Sequence, residues 1–310
     1  MDSNAKSTVI GNAACFCAYL IFGFNIIFSK NVADFGQITP LAIYLMRAIG
    51  ALALFWFASI FGPHDKMDWR DLWKVAIASF LGLFMTQLSF LKAITMTTAL
   101  DASILSLLSP IMTMIVAAIF LKDKISLRGV TGLTISFCGV LFLVLNTVSV
   151  HTGAARTTLG GILLLLVNTL SFASYVGIFK PLIKKYSVVT FMKWMFLFST
   201  LYGLPFGLKD LMNVEFAAIP ARIVLQLLFM VVCATFVSYF LIPVGQKRLK
   251  PMLVSMYSYV QPVVAMCISL AYGLDTMSWS KAAATLLVFF GVTLVNFSGK
   301  MVIFEKPLKH

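Results

Sequence analysis

Residues 90–141 and 242–293 are two versions of one passage, 152 positions apart, and both lie in apolar sequence long enough to cross a bilayer. The paired positions are Ser103/Ser255, Ser106/Ser258, Pro110/Pro262, Met114/Met266, Asp123/Asp275, Ser126/Ser278, Gly139/Gly291 and Val140/Val292. Internal symmetry in such a chain points to transport, because two related halves offer two faces that can open in turn around a shared site.

Composition excludes a soluble domain. Hydrophobic residues make up 60% of the chain, charged residues 11%, and the mean hydropathy is +0.96, against about 25% charged residues in soluble proteins. Each span of a hydrocarbon core about 30 Å thick takes roughly 20 apolar residues. Ten apolar runs satisfy this, near 8–29, 39–61, 71–92, 98–121, 126–146, 158–180, 188–208, 219–243, 251–273 and 279–299. The expected class is therefore an all-α polytopic membrane protein with ten transmembrane helices.

A net charge of +13 raises the question of nucleic acid, but the basic residues are scattered through short turns and form no patch. Ten spans put both termini on one side. Lys6, Lys66, Arg70, Lys74, Lys122, Lys124, Arg128, Lys180, Lys184, Lys185, Lys247, Arg248, Lys250, Lys300, Lys306 and Lys309 all fall there, against Lys30, Lys92, Arg156, Lys209, Arg222 and Lys281 opposite. The positive-inside bias then makes both termini cytoplasmic, in a cell (inner) membrane. The expected partners are membrane lipid and a small-molecule solute, with a coupling proton left open, and not nucleic acid; the oligomeric state is not specified by the sequence.

Cys15, Cys17, Cys138, Cys233 and Cys267 all lie inside predicted spans and include no CxxC, which argues against a disulfide framework or zinc cluster. The first apolar run follows one lysine, lacks a small-residue cleavage site and reads as a retained helix. The segment 146–158 joins two sets of five spans, 1–150 and 151–310. An odd number of spans makes the second set enter from the opposite side, so the expected architecture is two inverted five-helix repeats. A fainter match at an offset of 150 pairs Gly11/Gly161, Phe22/Phe172 and Lys30/Lys180.

The run Ala93-Ile-Thr-Met-Thr-Thr-Ala-Leu-Asp-Ala-Ser103, followed by Leu107-Leu-Ser-Pro110, Phe120-Leu-Lys-Asp-Lys124 and Gly129 through Gly139-Val-Leu141, resembles the EamA pattern of the drug/metabolite transporter superfamily. Thr39-Pro40 with Tyr44-Leu-Met-Arg47 is similar to the same pattern, and Met192-Lys-Trp-Met195 more loosely so. The resemblance covers nearly the whole chain. It implies a ten-helix, two-repeat secondary carrier, commonly a bacterial exporter of amino acids or other metabolites, and it specifies no solute. Asp101 departs from the pattern in a normally small or apolar stretch, and Asp123 stands where a Glu is usual.

Arg47 lies eight residues into its span, where an arginine costs about 2.5–3.5 kcal/mol on insertion scales. A charge at that depth needs a partner or a wet cavity, so Arg47 is a ligand for a solute carboxylate, half of a gating ion pair, or a structural arginine bonded to neighbouring carbonyls. Lys193 is its rough counterpart, nearer the cytoplasmic end and able to snorkel. Asp101 sits in the first turn of a helix with Thr98 three residues before it, the spacing of a capping box; a gating or coupling role is the alternative. Asp123 and Asp275 read as solvated turns.

Small and hydroxyl residues recur on single faces, as in Ser255, Ser258, Pro262, Met266 and Ser269. Close packing is the default account of such faces. Asn25, Tyr44, Gln87, Asn168, Tyr175, Trp194, Tyr202, Tyr239, Tyr257 and Tyr259 join Arg47 as substrate-binding candidates, since large polar and aromatic side chains suit an organic solute. Pro110 and Pro262, at matching places in two spans, should each interrupt a helix near the midplane, where carriers hold their solutes.

No GxxxxGK, GxSxG or HExxH occurs, and His64, His151 and His310 lie in turns or the tail. ATP-driven transport, hydrolytic enzymology and a buried histidine metal site lose their usual motifs, and no cofactor is implied. The reading is a secondary active transporter that exports a small organic metabolite, such as an amino acid, by alternating access around a midplane cavity. A channel or lipid-scrambling protein is the alternative. The topology is directly testable: green fluorescent protein fused to the C-terminus should fluoresce, and alkaline phosphatase fused there should be inactive; the reverse would invert the orientation.

Overall fold

The structure is a computed structural model that describes residues 3–62, 65–121, 157–249 and 257–273, with shorter stretches within 130–142, 254 and 278–294. Asp123, Ser126, Val140, Ser255, Asp275, Val292, most of the 146–158 joint and the side chains of Pro110 and Met114 lie outside the described residues. Regular structure among the described residues is entirely helical. The elements are α1 (Ser3–Phe35), α2 (Pro40–Phe61), α3 (Trp69–Ile94), α4 (Ala99–Ser106), α5 (Ser109–Leu121), α6 (Leu159–Ile178), α7 (Lys180–Lys185), α8 (Val188–Met212), α9 (Ala221–Arg248) and α10 (Tyr257–Ala271).

Six of these, α1, α2, α3, α6, α8 and α9, are long and apolar enough to cross a membrane. The shorter apolar helices α4 with α5, Val130–Gly139 and α10 account for other apolar runs. Phe57, Ile60, Phe61, Leu225 and Leu286 are largely exposed on the outside of the bundle, as a surface solvated by lipid requires.

Hydroxyls fix where several helices begin. Thr39 accepts from the Ala42 amide at 3.2 Å with Pro40 in the first helical position. Ser187, Thr98 and Thr158 do the same for Thr190, Asp101 and Gly161 at 3.2, 3.1 and 3.1 Å. Each satisfies an amide that the helical ladder leaves over.

Two helices change pitch in the middle. α3 passes through a π-helical segment at Phe80–Met85 and α9 through another at Val232–Val237, 152 positions apart, the offset of the duplicated passage. A π turn shifts backbone bonding by one residue and leaves carbonyls to be satisfied otherwise. Hydroxyls do so here: Thr86 Oγ1 donates to the Leu81 carbonyl at 2.7 Å, Ser238 Oγ to Cys233 at 3.1 Å and Thr235 Oγ1 to Met230 at 2.7 Å. Thr86 and Ser238 are themselves 152 positions apart.

The proline interruptions come at matching places too. α4 ends at Ser106, a turn covers Leu107 and Leu108, and α5 restarts with Pro110 as its second residue. α10 opens with a 3₁₀ turn at Tyr257–Tyr259 and continues as an α-helix from Val260, with Pro262 third in line. In the first turn of a restarted helix the missing amide of proline costs nothing. Between α4 and α5 the chain ends one helix and begins another instead of kinking a continuous one.

Glycines set the closest approaches. A Cβ on Gly82, inside the first π segment, would stand 2.6 Å from the Tyr175 ring of α6, and one on Gly23 of α1 would stand 2.7 Å from Val264 and 2.9 Å from the Gln261 carbonyl of α10. Bare backbone lets these helices come together. Gly82→Val should force the Tyr175 ring aside and lower stability by about 1–3 kcal/mol, read as a fall in the apparent melting temperature of the purified protein; an unchanged melt would show that α3 and α6 are free to separate.

Candidate functional site

A cavity of about 660 Å³, its mouth included, lies where α1, α2, α3, α4, α5, α6, α9 and α10 meet. Its wall is Tyr19, Phe22, Asn25, Arg47, Thr86, Gln87, Phe90, Ser106, Ser109, Asn168, Thr169, Phe172, Tyr239, Ser258 and Gln261. Nine of these residues precede the 146–158 joint and six follow it. Four pairs follow the sequence duplication: Gln87/Tyr239, Ser106/Ser258 and Ser109/Gln261 at 152 positions, and Phe22/Phe172 at 150.

Arg47 is the only charged residue among the described residues of that wall, and it is 3% exposed. Its Nε donates to Thr235 Oγ1 at 2.9 Å, and Thr235 is in turn fixed by its own bond to the Met230 carbonyl. The π segment of α9 therefore supplies the oxygen that orients the guanidinium. Nη1 has no hydrogen-bond partner among the described residues. A planar fork held at one edge and bare at the other is suited to a carboxylate or another planar anion.

Asn168 crosses from α6 to α3, donating from Nδ2 to the Thr86 carbonyl at 2.7 Å. Asn25 is buried on α1 with its Oδ1 unpartnered, as is the Tyr19 hydroxyl one and a half turns away. Tyr239 packs edge-on to Phe22 with ring centroids 5.8 Å apart, and Gln87 lies beside it in the wall. The cavity thus combines one oriented cation, several neutral polar groups and three phenylalanine rings.

Of the residues singled out in the sequence, Asn25, Arg47, Gln87, Asn168 and Tyr239 come together there. So do the duplicated Phe22, Ser106, Phe172 and Ser258, whereas the other substrate-binding and gating candidates do not line it. Tyr44 is fully buried between α2 and α8, donating to the Ser199 carbonyl at 2.7 Å and in contact with Ser199 Oγ. Tyr175 is fully buried against Gly82. Tyr202 donates to the Ala76 carbonyl at 3.2 Å. Trp194 packs on Trp56, and the Lys193 ammonium sits 5.2 Å from the Trp56 ring centre. Tyr257 and Tyr259 pack into apolar clusters beside the cavity. Pro262 is buried one residue from the lining Gln261, and the backbone of Pro110 follows the lining Ser109. Tyr19, Phe90, Thr169 and Gln261 line the wall without having been singled out in the sequence, and Ser109 appeared there only within the run Leu107-Leu-Ser-Pro110. For Ser109 and Gln261 the duplication, followed one residue short of each proline-bearing turn, is the signal.

Polar joints tie the two parts of the chain at opposite ends of α3. At its start Asp71 accepts from Lys74 at 2.9 Å, from Lys185 at 2.5 Å and from the Tyr186 hydroxyl at 2.7 Å. The Asp71 carboxylate, with Tyr186 behind it, holds the Lys185 ammonium above the usual lysine range, so the joint stays ionised across physiological pH. Beyond the other end, Thr157 Oγ1 donates to the fully buried Asp101 at 2.5 Å, and the Thr98 amide donates to Thr157 at 3.1 Å. Asp101 is therefore placed in a seam between α4 and the start of α6, away from the cavity.

The EamA-like transporter family model matches this chain twice, over residues 9–145 and 159–297. The chain is similar to an uncharacterized transporter of Archaeoglobus fulgidus, at 29% identity over 153 residues covering 49% of this chain and 52% of that protein. It is similar to the uncharacterized transporter YetK of Bacillus subtilis, at 22% over 202 residues covering 64% and 60%. The chain thus spans roughly half to three-fifths of these two relatives. Over 304 residues it is 24% identical to the uncharacterized inner membrane transporter YicL of Salmonella typhimurium, covering 95% and 97%. A protein crystal structure shares the fold with a TM-score of 0.66 at 16% identity, covering 96% of this chain and 99% of that one.

The Arg47–Thr235 bond makes a prediction about the site itself. Thr235→Val removes the acceptor of the Arg47 Nε–H and should lower stability by about 1–3 kcal/mol, seen in thermal melts, whereas Thr235→Ser should restore most of it; equal melts for both variants would mean the hydroxyl does not hold Arg47.

Proposed function

The chain belongs to the EamA-like transporter family and is a multi-pass membrane protein, and on that premise we propose that it is a secondary carrier that exports a small organic metabolite by alternating access. The supporting observation is the convergence of duplicated pairs, Phe22/Phe172, Gln87/Tyr239, Ser106/Ser258 and Ser109/Gln261, on one cavity. Two related halves that share a central pocket can expose it to one side and then the other by rocking.

In this reading residues 1–150 and 151–310 are inverted five-helix repeats, ten helices in all, with both termini in the cytoplasm. The equal spacing of the two π segments, and the matching places of Pro110 and Pro262 early in α5 and α10, support the repeat. Arg47, with Asn25, Gln87, Asn168 and Tyr239, receives the solute. The Asp71 joint closes the cytoplasmic end and the Asp101–Thr157 seam the outer end, and the carrier cycles by opening one while the other holds. Pro110 and Pro262 let the helices around the pocket tilt as short segments. Tyr44, Tyr175, Trp194, Lys193, Tyr202, Tyr257 and Tyr259 serve helix packing and the lipid boundary.

Arg47→Ala tests this. In vesicles containing the purified protein, the wild type should give saturable flux and counterflow of its solute, and Arg47→Ala should lose at least about 90% of that flux while inserting in normal amounts, as expected when a site charge is removed. Wild-type-like flux from the variant would remove Arg47 from the mechanism. Flux that never saturates would mark a channel.

A further inference from the structure

The charge inventory of the cavity narrows the solute. Among the described residues no Asp or Glu lines it, while Arg47 contributes a fixed positive charge. Arg47 is more than nine-tenths buried, its Nε is committed to the neutral Thr235 hydroxyl, and Nη1 is unpartnered. Among the described residues of the wall no acid forms an ion pair with the arginine across the cavity. A buried guanidinium left with an open edge is stabilised by an anion that accepts from it. The same charge repels an ammonium brought into the same small space, where charges are poorly screened.

The remaining wall describes the rest of the ligand. Phe22, Phe90 and Phe172 offer apolar faces, and the unpartnered Asn25 Oδ1 and Tyr19 hydroxyl can meet a neutral polar substituent. We infer that the cavity takes a monoanionic organic acid, its carboxylate on Arg47 and its ring or aliphatic body against these phenylalanines, and that it discriminates against amines and zwitterions. The inference rests on the carrier reading only for how the acid is moved, not for how it is bound.

Four probes of one shape separate the possibilities: phenylacetate, phenylacetamide, 2-phenylethylamine and phenylalanine, titrated calorimetrically into the full-length protein in nanodiscs of neutral lipid. Phenylacetate should bind at least about tenfold more tightly than the other three, the effect of one charge-assisted bond in a buried site. Arg47→Gln should erase that margin, and Arg47→Lys should restore part of it. The wild-type ranking decides the matter even if neither variant inserts. Equal binding of all four probes, binding of none, or a preference for the amine or the amino acid overturns the inference. Vesicle flux separates it from the carrier reading: Arg47-dependent phenylacetate binding without saturable flux would refute the carrier and leave the binding site standing, whereas saturable flux of 2-phenylethylamine alone would do the opposite.

Discussion

A carbonyl that leaves the helical ladder inside a bilayer must find another donor, because no water is there to supply one. Most of this chain meets that demand by remaining helical. Where it does not, in the π segments of α3 and α9, side-chain hydroxyls take over, with Thr86 on Leu81, Ser238 on Cys233 and Thr235 on Met230. The irregular stretches border the cavity, as Thr86 and Gln87 directly follow one π segment and Tyr239 lies just beyond the other. Irregular backbone at this depth is tolerated where it faces protein or a hollow instead of lipid.

The same economy connects fold to site. Thr235 repairs its own helix through Met230 and also accepts from Arg47, so one hydroxyl serves both the backbone and the charge. Asn168 ties α6 to the Thr86 carbonyl, placing a bond between the two parts of the chain at the level of the cavity. Gly82 lets Tyr175 press against the π segment. Each contact fixes the wall by holding a helix.

Much of this was legible in the sequence. Apolar length located the six helices long enough to cross a membrane, Thr98 marked a helix start through known capping chemistry, and Pro110 with Pro262 pointed to the starts of α5 and of the α-helical part of α10. The duplication pointed to Ser106, Ser258, Phe22 and Phe172. The π segments had no such signature, since Phe80–Met85 and Val232–Val237 are as apolar as their neighbours and differ only in hydrogen-bond register. Nor could spacing tell which face of a uniformly apolar helix points inward. Tyr44 and Tyr202 resemble Tyr239 as residues, yet their hydroxyls meet the Ser199 and Ala76 carbonyls, partners that become visible only once the helices are packed. Trp194 and Lys193 likewise meet Trp56 instead of the cavity.

A chamber whose described wall contains one cation and no carboxylate has a consequence for energetics. Moving a monoanion outward from a cell that is negative inside releases about 2.3 kcal/mol per 100 mV, roughly a fiftyfold accumulation ratio. If the proposed carrier exports such an acid, the resting voltage alone would suffice to expel it, and the export would be electrogenic, with no second ion obliged to ride along.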